Sequence, residues 1–130
     1  MALEKRWFGE IEDLPEEINT LDDLEFIHDG IVWMHPDETS LLYFTAKARL
    51  PCTDIVEIGR AAGGSTLIFG AATQGEQESL VYSIDIDPVD DPQLESMIAR
   101  FCFDNIVLII DDSSKCRISP CAGLLFIDGD

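Results

Sequence analysis

The stretch DIVEIGRAAGGST, residues 54–66, decides how this chain is read. It begins with a short apolar run holding Ile55, Val56 and Ile58, and then places Gly59, Gly63 and Gly64 within six positions. Such a run, followed by a turn and a helical pattern, suits a strand buried on both faces of a parallel sheet. Gly59 allows a tight turn at the strand end, while Gly63 and Gly64 let a ligand approach the backbone with no β-carbon in the way. Ser65 and Thr66 stand where the helix begins and can satisfy amides of its first turn. In an open parallel sheet this turn lies beyond the carboxyl ends of the strands, where ligands bind.

The commoner phosphate binders do not fit. A P-loop has Lys before its Ser/Thr, and Gly64 stands there instead. A dinucleotide fingerprint has a middle glycine that Gly59-Arg60-Ala61-Ala62-Gly63-Gly64 lacks. Glu57, on the strand itself, is a poor neighbour for phosphate. Its carboxylate suits the cationic end of an amino-acid ligand, or it fixes the loop. S-adenosylmethionine carries both an ammonium and a sulfonium charge, so this chemistry favours it over NAD.

Outward from this stretch the pattern repeats. LVYSID (80–85), NIVLII (105–110) and GLLFID (123–128) read as further buried strands, and GSTLIFGAATQ (64–74) and DPQLESMIARFC (91–102) as helices. In the second helix Leu94, Ile98 and Phe101 form the apolar side. The connection DDSSKCRISPCA (111–122) is short for a crossover. The order predicts an α/β fold, a Rossmann-like open parallel sheet. Asp85 closes the second strand 26 residues beyond Gly59, close to where an acid receives ribose hydroxyls in nucleotide-binding α/β folds. Asp111-Asp112-Ser113 closes the third, where a carboxylate can accept from an adenine amino group, and Asp128-Gly129-Asp130 closes the fourth. With Glu57, four successive strands carry acids toward one edge.

Upstream, HPDETSLLYFTAKAR (35–49) reads as a helix capped by Asp37, with Leu41, Phe44 and Ala48 on its core face and Pro51 ending the run. LEFIHDGIVWM (24–34) carries a hairpin signal at Asp29-Gly30. His28 and His35 suit turn or capping roles, and Trp7 and Trp33 suit packing. Residues 1–36 read as an acidic preface and 37–130 as the domain proper. The chain of 130 residues has 26 acids against 8 bases, a net charge of −18, and ten of the acids precede Ile31. That surface repels phosphate backbones and anionic lipid, so nucleic acid and membrane are not expected partners. With no apolar stretch of membrane-spanning length and no leader pattern, a cytoplasmic protein is expected. Cys52, Cys102, Cys116 and Cys121 lack C-x-x-C spacing and suggest no zinc site.

Taken together, IVEIGRAAGGSTL, VYSIDIDP, NIVLIIDDS and LLFIDGD, in this order and spacing, resemble the class I S-adenosylmethionine-dependent methyltransferases. The likeness is to the branch whose first motif reads E-I-G-x-x-x-G-G-S-T and whose fourth reads D-G-D-H, which includes O-methyltransferases for sugars and natural products. It covers roughly Asp37 to Asp130. It implies a strand order of 3-2-1-4 and a loop of Glu57, Gly59, Gly63, Gly64 and Ser65 around the methionine part of the donor. It also implies Asp85 on the ribose, and Asp112 with Ser113 beside the adenine. Asp128 matches the acid that, in related O-methyltransferases, helps hold a divalent metal such as Mg²⁺ or positions the acceptor hydroxyl. Ala61 departs from a glycine common in class I enzymes, and the histidine of the fourth motif falls beyond Asp130.

The resemblance further implies a seven-stranded sheet of which four strands are present, so a fragment lacking the C-terminal half is expected. Such a piece keeps donor-binding residues, has no turnover alone, and presents an open sheet edge through which it self-associates. The acceptor implied is a small molecule. Two other readings stand beside this one. The D-x-D pairs Asp85-Ile86-Asp87 and Asp128-Gly129-Asp130 suit a metal-dependent glycosyltransferase, and the half-fold alone suits a non-catalytic remnant or interaction module.

Overall fold

The computed structural model describes residues 15–25, 27, 35–60, 63–76, 78–87, 91–117 and 121–127. Helix α1 (Pro36–Ala48) precedes strand β1 (Asp54–Ile58). Helix α2 (Gly64–Ala72), strand β2 (Val81–Asp85), helix α3 (Asp91–Arg100), strand β3 (Ile106–Ile110) and strand β4 (Ala122–Ile127) follow. The four strands are all parallel and run β3-β2-β1-β4 across the sheet. This is the Rossmann-like architecture that the pattern predicts and the strand order that the resemblance implies. The connection from β3 to β4 contains only a 3-10 turn, Ser113–Lys115, among its described residues.

The register explains which sheet face holds the core. Ile55 stands opposite Val81 and Leu124, and Val81 opposite Ile106, so these four share one face. With Leu108 and Phe126 they pack against Leu67, Ile68 and Phe69 of α2 and Leu94 and Met97 of α3. The rings of Phe69 and Phe126 meet edge to face at 5.7 Å. Every residue of α2 is buried, because the helix is covered by the sheet on one side and by α1 on the other. An all-apolar helix face such as GSTLIFGAA requires that placement. In α3, Leu94 and Met97 are buried and Ile98 is half-buried, and Phe101 just beyond its end is buried, so Met97 joins the expected side.

Burial on both sheet faces holds for β1 and β2 but fails for the outer strands. β3 and β4 leave Val107, Leu125 and Ile127 exposed, one step out of phase with the core residues. The three helices serve the opposite face, and no helix joins β3 to β4 among the described residues.

Helix α1 also differs from its expected orientation. His35, not Asp37, is the N-cap: its Nδ1 accepts from the Asp37 amide at 3.2 Å, with Pro36 at the first helical position. The core face is Thr39, Tyr43 and Ala46, while Leu41 and Phe44 are 66% and 57% exposed and Ala48 lies on the surface. Spacing at 41, 44 and 48 is helical, but Thr39, Tyr43 and Ala46 fit a helical face equally well, and theirs is the buried one on a helix that packs against α2. Two apolar stripes compete on one helix, and close approach to α2 selects the one with Ala46.

The described part of the acidic preface is packed into the core. Ile18, Leu24 and Ile27 are buried, the Gln74 amide donates to the Ile18 carbonyl, and Arg100 donates to the Pro15 carbonyl. Its acids Glu16, Glu17, Asp22 and Glu25 face solvent, as a solvated charge surface would. The hairpin signal at residues 28–30 and both tryptophans lie outside the described residues. At the amino edge of the sheet Arg49, its side chain 2% exposed, pairs with Glu76 at 2.9 Å and donates to the Thr53 carbonyl, and Asp54 accepts from the Leu80 amide. That edge is built for rigidity.

The α1 orientation is checked by substitution. Tyr43→Ala should lower unfolding free energy by about 3 kcal/mol in urea titrations, whereas Leu41→Ser should change it by less than about 0.5 kcal/mol. Equal losses would place the wrong face against α2.

Candidate functional site

At the carboxyl ends of β1, β2 and β3 the chain makes a turn, an acid and a second acid. Strand β1 ends at Ile58 opposite Ile84, and Asp85 stands opposite Ile110. Gly59 follows with φ 88° while its amide donates to the Ile84 carbonyl at 2.7 Å. Left-handed backbone at a position still bonded to the neighbouring strand is what restricts it to glycine. Gly63, at φ 97°, is the N-cap of α2. A Cβ there would collide with the Leu94 side chain of α3, so Gly63 serves backbone conformation and helix packing. This corrects the expectation that its bareness makes room for a ligand.

Glu57 points away from the edge. Its side chain is fully buried on the core face, opposite Ser83 and Phe126 in the sheet register. Ser65 Oγ donates to its Oε2, and Thr66 Oγ1 and Ser83 Oγ both donate to its Oε1, the latter at 2.7 Å. Of the two roles open to this carboxylate, fixing the loop is the one its contacts support; a cationic ligand has no path to it through three hydroxyls. Ser65 and Thr66 likewise do not cap α2, whose N-cap makes no side-chain hydrogen bond. Their hydroxyls are spent on Glu57. Burial pushes the Glu57 carboxyl above its ordinary value, opposed by the hydroxyls of Ser65, Thr66 and Ser83 and then by the charge of Arg60.

Asp85 does reach the edge. Its Oδ2 accepts from the Arg60 amide at 2.8 Å and its Oδ1 from the Asp87 amide at 3.0 Å, which fixes the plane of the carboxylate. Its own carbonyl accepts from the Asp111 amide at 3.0 Å, tying the end of β3 to that of β2. Asp112 caps the 3-10 turn, with Oδ1 accepting from the Ser114 amide at 2.9 Å and hydroxyl at 2.8 Å. Those bonds hold its carboxyl below the ordinary aspartate value, so it is a carboxylate acceptor across the neutral range. Ser113 is half-buried in the same turn.

The structure therefore brings Gly59, Asp85, Asp112 and Ser113 to one edge, with Gly63 and Gly64 opening α2 beside them, and removes Glu57 and Ser65 to a supporting layer. Asp128 and Asp130 lie outside the described residues. Among the described residues no group of three or more His, Cys, Asp or Glu is placed to hold a metal ion, and no helix is long and apolar enough to cross a membrane.

Two residues of the site escape a reading by motif. Ser83 is the polar interruption in VYSID, and its partner in register is the polar interruption in DIVEI, so a pairing of the two strands would have revealed it. Arg60, 2% exposed, sends Nη1 to the Ser83 carbonyl at 2.7 Å and the Ile109 carbonyl at 3.1 Å. Nothing local in GRAAGG distinguishes a buried arginine from a solvated one.

Raising the folded-state value of a carboxyl means that the native protein binds its proton more tightly than the unfolded chain does. The stability owed to Glu57 is then complete below the ordinary glutamate value of 4.5 and declines as pH rises through the higher folded value. Measured against Glu57→Gln in urea titrations, wild-type stability should therefore fall from about pH 4.5 upward and then level off. A difference that is flat or grows with pH would contradict this placement of Glu57.

No family model matches the chain, and no curated protein matches it. Solved structures do. A SAM-dependent O-methyltransferase from Thermotoga maritima aligns over 85% of this chain and 41% of its own, with a TM-score of 0.66 at 14% identity. The cofactor-bound protein Rv0187 from MTB aligns over 76% of this chain and 46% of its own, at 0.61 and 19% identity. A protein-L-isoaspartate O-methyltransferase aligns over 72% and 29%, at 0.56 and 14% identity. The chain thus spans less than half the length of each. At these identities the likeness is one of fold, and the fold shared is the Rossmann-like parallel sheet.

Proposed function

We propose that residues 37–130 form the donor-binding part of an S-adenosylmethionine-dependent methyltransferase acting on oxygen of a small molecule or sugar. The observation that carries this reading is the Asp85 carboxylate, locked by two backbone amides beside the Gly59 turn at the carboxyl edge of the sheet. A carboxylate accepts from donors, and vicinal ribose hydroxyls are paired donors, so the residues present fit a nucleoside. Asp112 would accept from the adenine amino group, with Ser113 alongside. The backbone of the Gly59–Gly64 turn would hold the methionine end, and Glu57, Ser65 and Thr66 would keep that turn in place from below.

S-adenosylmethionine supplies an electrophilic methyl group when bound. The protein's contribution to such a transfer is alignment of donor and acceptor, together with a base for the acceptor proton, the role assigned here to Asp128. A metal-dependent glycosyltransferase gains no support from the described D-x-D pair: Asp87 uses its amide on Asp85 Oδ1, and no group of three or more His, Cys, Asp or Glu among the described residues is placed to hold a metal ion.

Calorimetry with S-adenosylmethionine tests the reading. Binding is expected, and Asp85→Ala should weaken it at least about tenfold, or about 1.4 kcal/mol. A folded chain that does not bind, or binds equally well after the substitution, would overturn it.

A further inference from the structure

Arg60 is a buried cation that the proposed chemistry leaves without a task. It follows Gly59 directly, and its side chain is 2% exposed. From this one residue bonds run to β2 and β3: the amide to Asp85 Oδ2 at 2.8 Å, and Nη1 to the Ser83 carbonyl at 2.7 Å and the Ile109 carbonyl at 3.1 Å. Arg60 therefore spans the ends of β1, β2 and β3, the three strands whose termini make the candidate site.

A guanidinium is costly to desolvate, and an apolar side chain of similar volume often stabilises a buried position as well or better. Fold stability alone is thus a weak reason for an arginine here. The bonds give a stronger one. The side chain is anchored to main-chain carbonyls of β2 and β3, atoms whose positions the sheet fixes. An anchor of that kind sets where the Arg60 amide points, and that amide holds one oxygen of the Asp85 carboxylate. The other oxygen is held by Asp87 from the strand's own turn. Loss of the Arg60 anchor would release the amide that holds Oδ2 of Asp85 and so change the orientation of that carboxylate.

We propose that Arg60 is a positioning residue for recognition of ribose hydroxyls: its buried guanidinium fixes the turn so that its amide orients Asp85. This rests on the donor-binding reading above. Arg60 itself touches no ligand in this account, and its effect is confined to ligands that Asp85 must recognise by their hydroxyls.

The test compares two ligands by calorimetry on the full chain, S-adenosylhomocysteine and its 2′-deoxyribose analogue. Wild type should favour the hydroxylated ligand at least about tenfold. In Arg60→Met that ratio should fall to within about twofold of unity, through loss of affinity for S-adenosylhomocysteine with the deoxy analogue little changed. A general loosening would weaken both ligands alike and keep the ratio, and that result overturns the inference. Arg60→Lys, shorter than arginine, serves as a second variant with the same expected collapse. Should neither variant fold, the wild-type Arg60 amide resonance decides: it should move with S-adenosylhomocysteine and stay with the deoxy analogue, and equal movement overturns the inference. Wild type that binds both ligands equally removes the Arg60 role and leaves the donor site standing. Wild type that binds neither removes both.

Discussion

A carboxylate with no solvent, held by three hydroxyls, is the constraint from which the rest of this structure follows. Glu57 lies in the middle of the sheet beneath α2, and Ser65, Thr66 and Ser83 all donate to it. Two of those donors are in the first turn of α2 and one is on β2. The acid therefore welds strand, neighbouring strand and helix start into one unit. Removing any partner would leave a buried oxygen short of a donor, which is far more costly than the net gain from making such a bond. That asymmetry holds the end of β1 and the first turn of α2, the two flanks of the glycine turn, to the same carboxylate.

With the turn fixed from below, the edge above it can be specific. Gly59 departs from the strand in the left-handed region, Arg60 crosses toward β3, and Asp85 is caught between two amides. Asp111 then carries the link from β2 to β3 through its own amide. The result is a polar rim on a rigid base, with the side chains of Glu57 and Arg60 both enclosed and the acids Asp111 and Asp112 turned outward. The amino edge has its own brace in Arg49, Glu76 and Asp54, so the two ends of the sheet are stiffened by different residues for different ends.

How much of this was legible in the sequence depends on whether the signal was local. The strands were: DIVEI, LVYSID, NIVLII and GLLFID each fall within a residue or two of an observed strand, because short β-branched runs bounded by glycine and acids have few alternatives. Asp85 and Asp112 were legible as strand-end acids for the same reason. Glu57 was legible as important but not in its role, since its partner Ser83 is brought to it only by parallel pairing. The face of α1 was misread because two apolar stripes share one helix and only contact with α2 chooses between them. The bare outer face of β3 and β4 was likewise invisible, because an apolar run looks the same whether or not a helix covers it.

The central claim is that the edge formed by the Gly59 turn, Asp85 and the 111–114 turn receives the adenosine end of the donor while Glu57 stays beneath it. Backbone amide chemical shifts measured by nuclear magnetic resonance during titration with S-adenosylhomocysteine address this most directly. The account predicts movements at Gly59, Arg60, Asp85, Asp87 and Asp112 that saturate together, with the amino edge around Arg49 and Glu76 unmoved. Saturable movements centred on that amino edge or on the exposed face of β4, with the Gly59 and Asp85 amides unchanged, would contradict it.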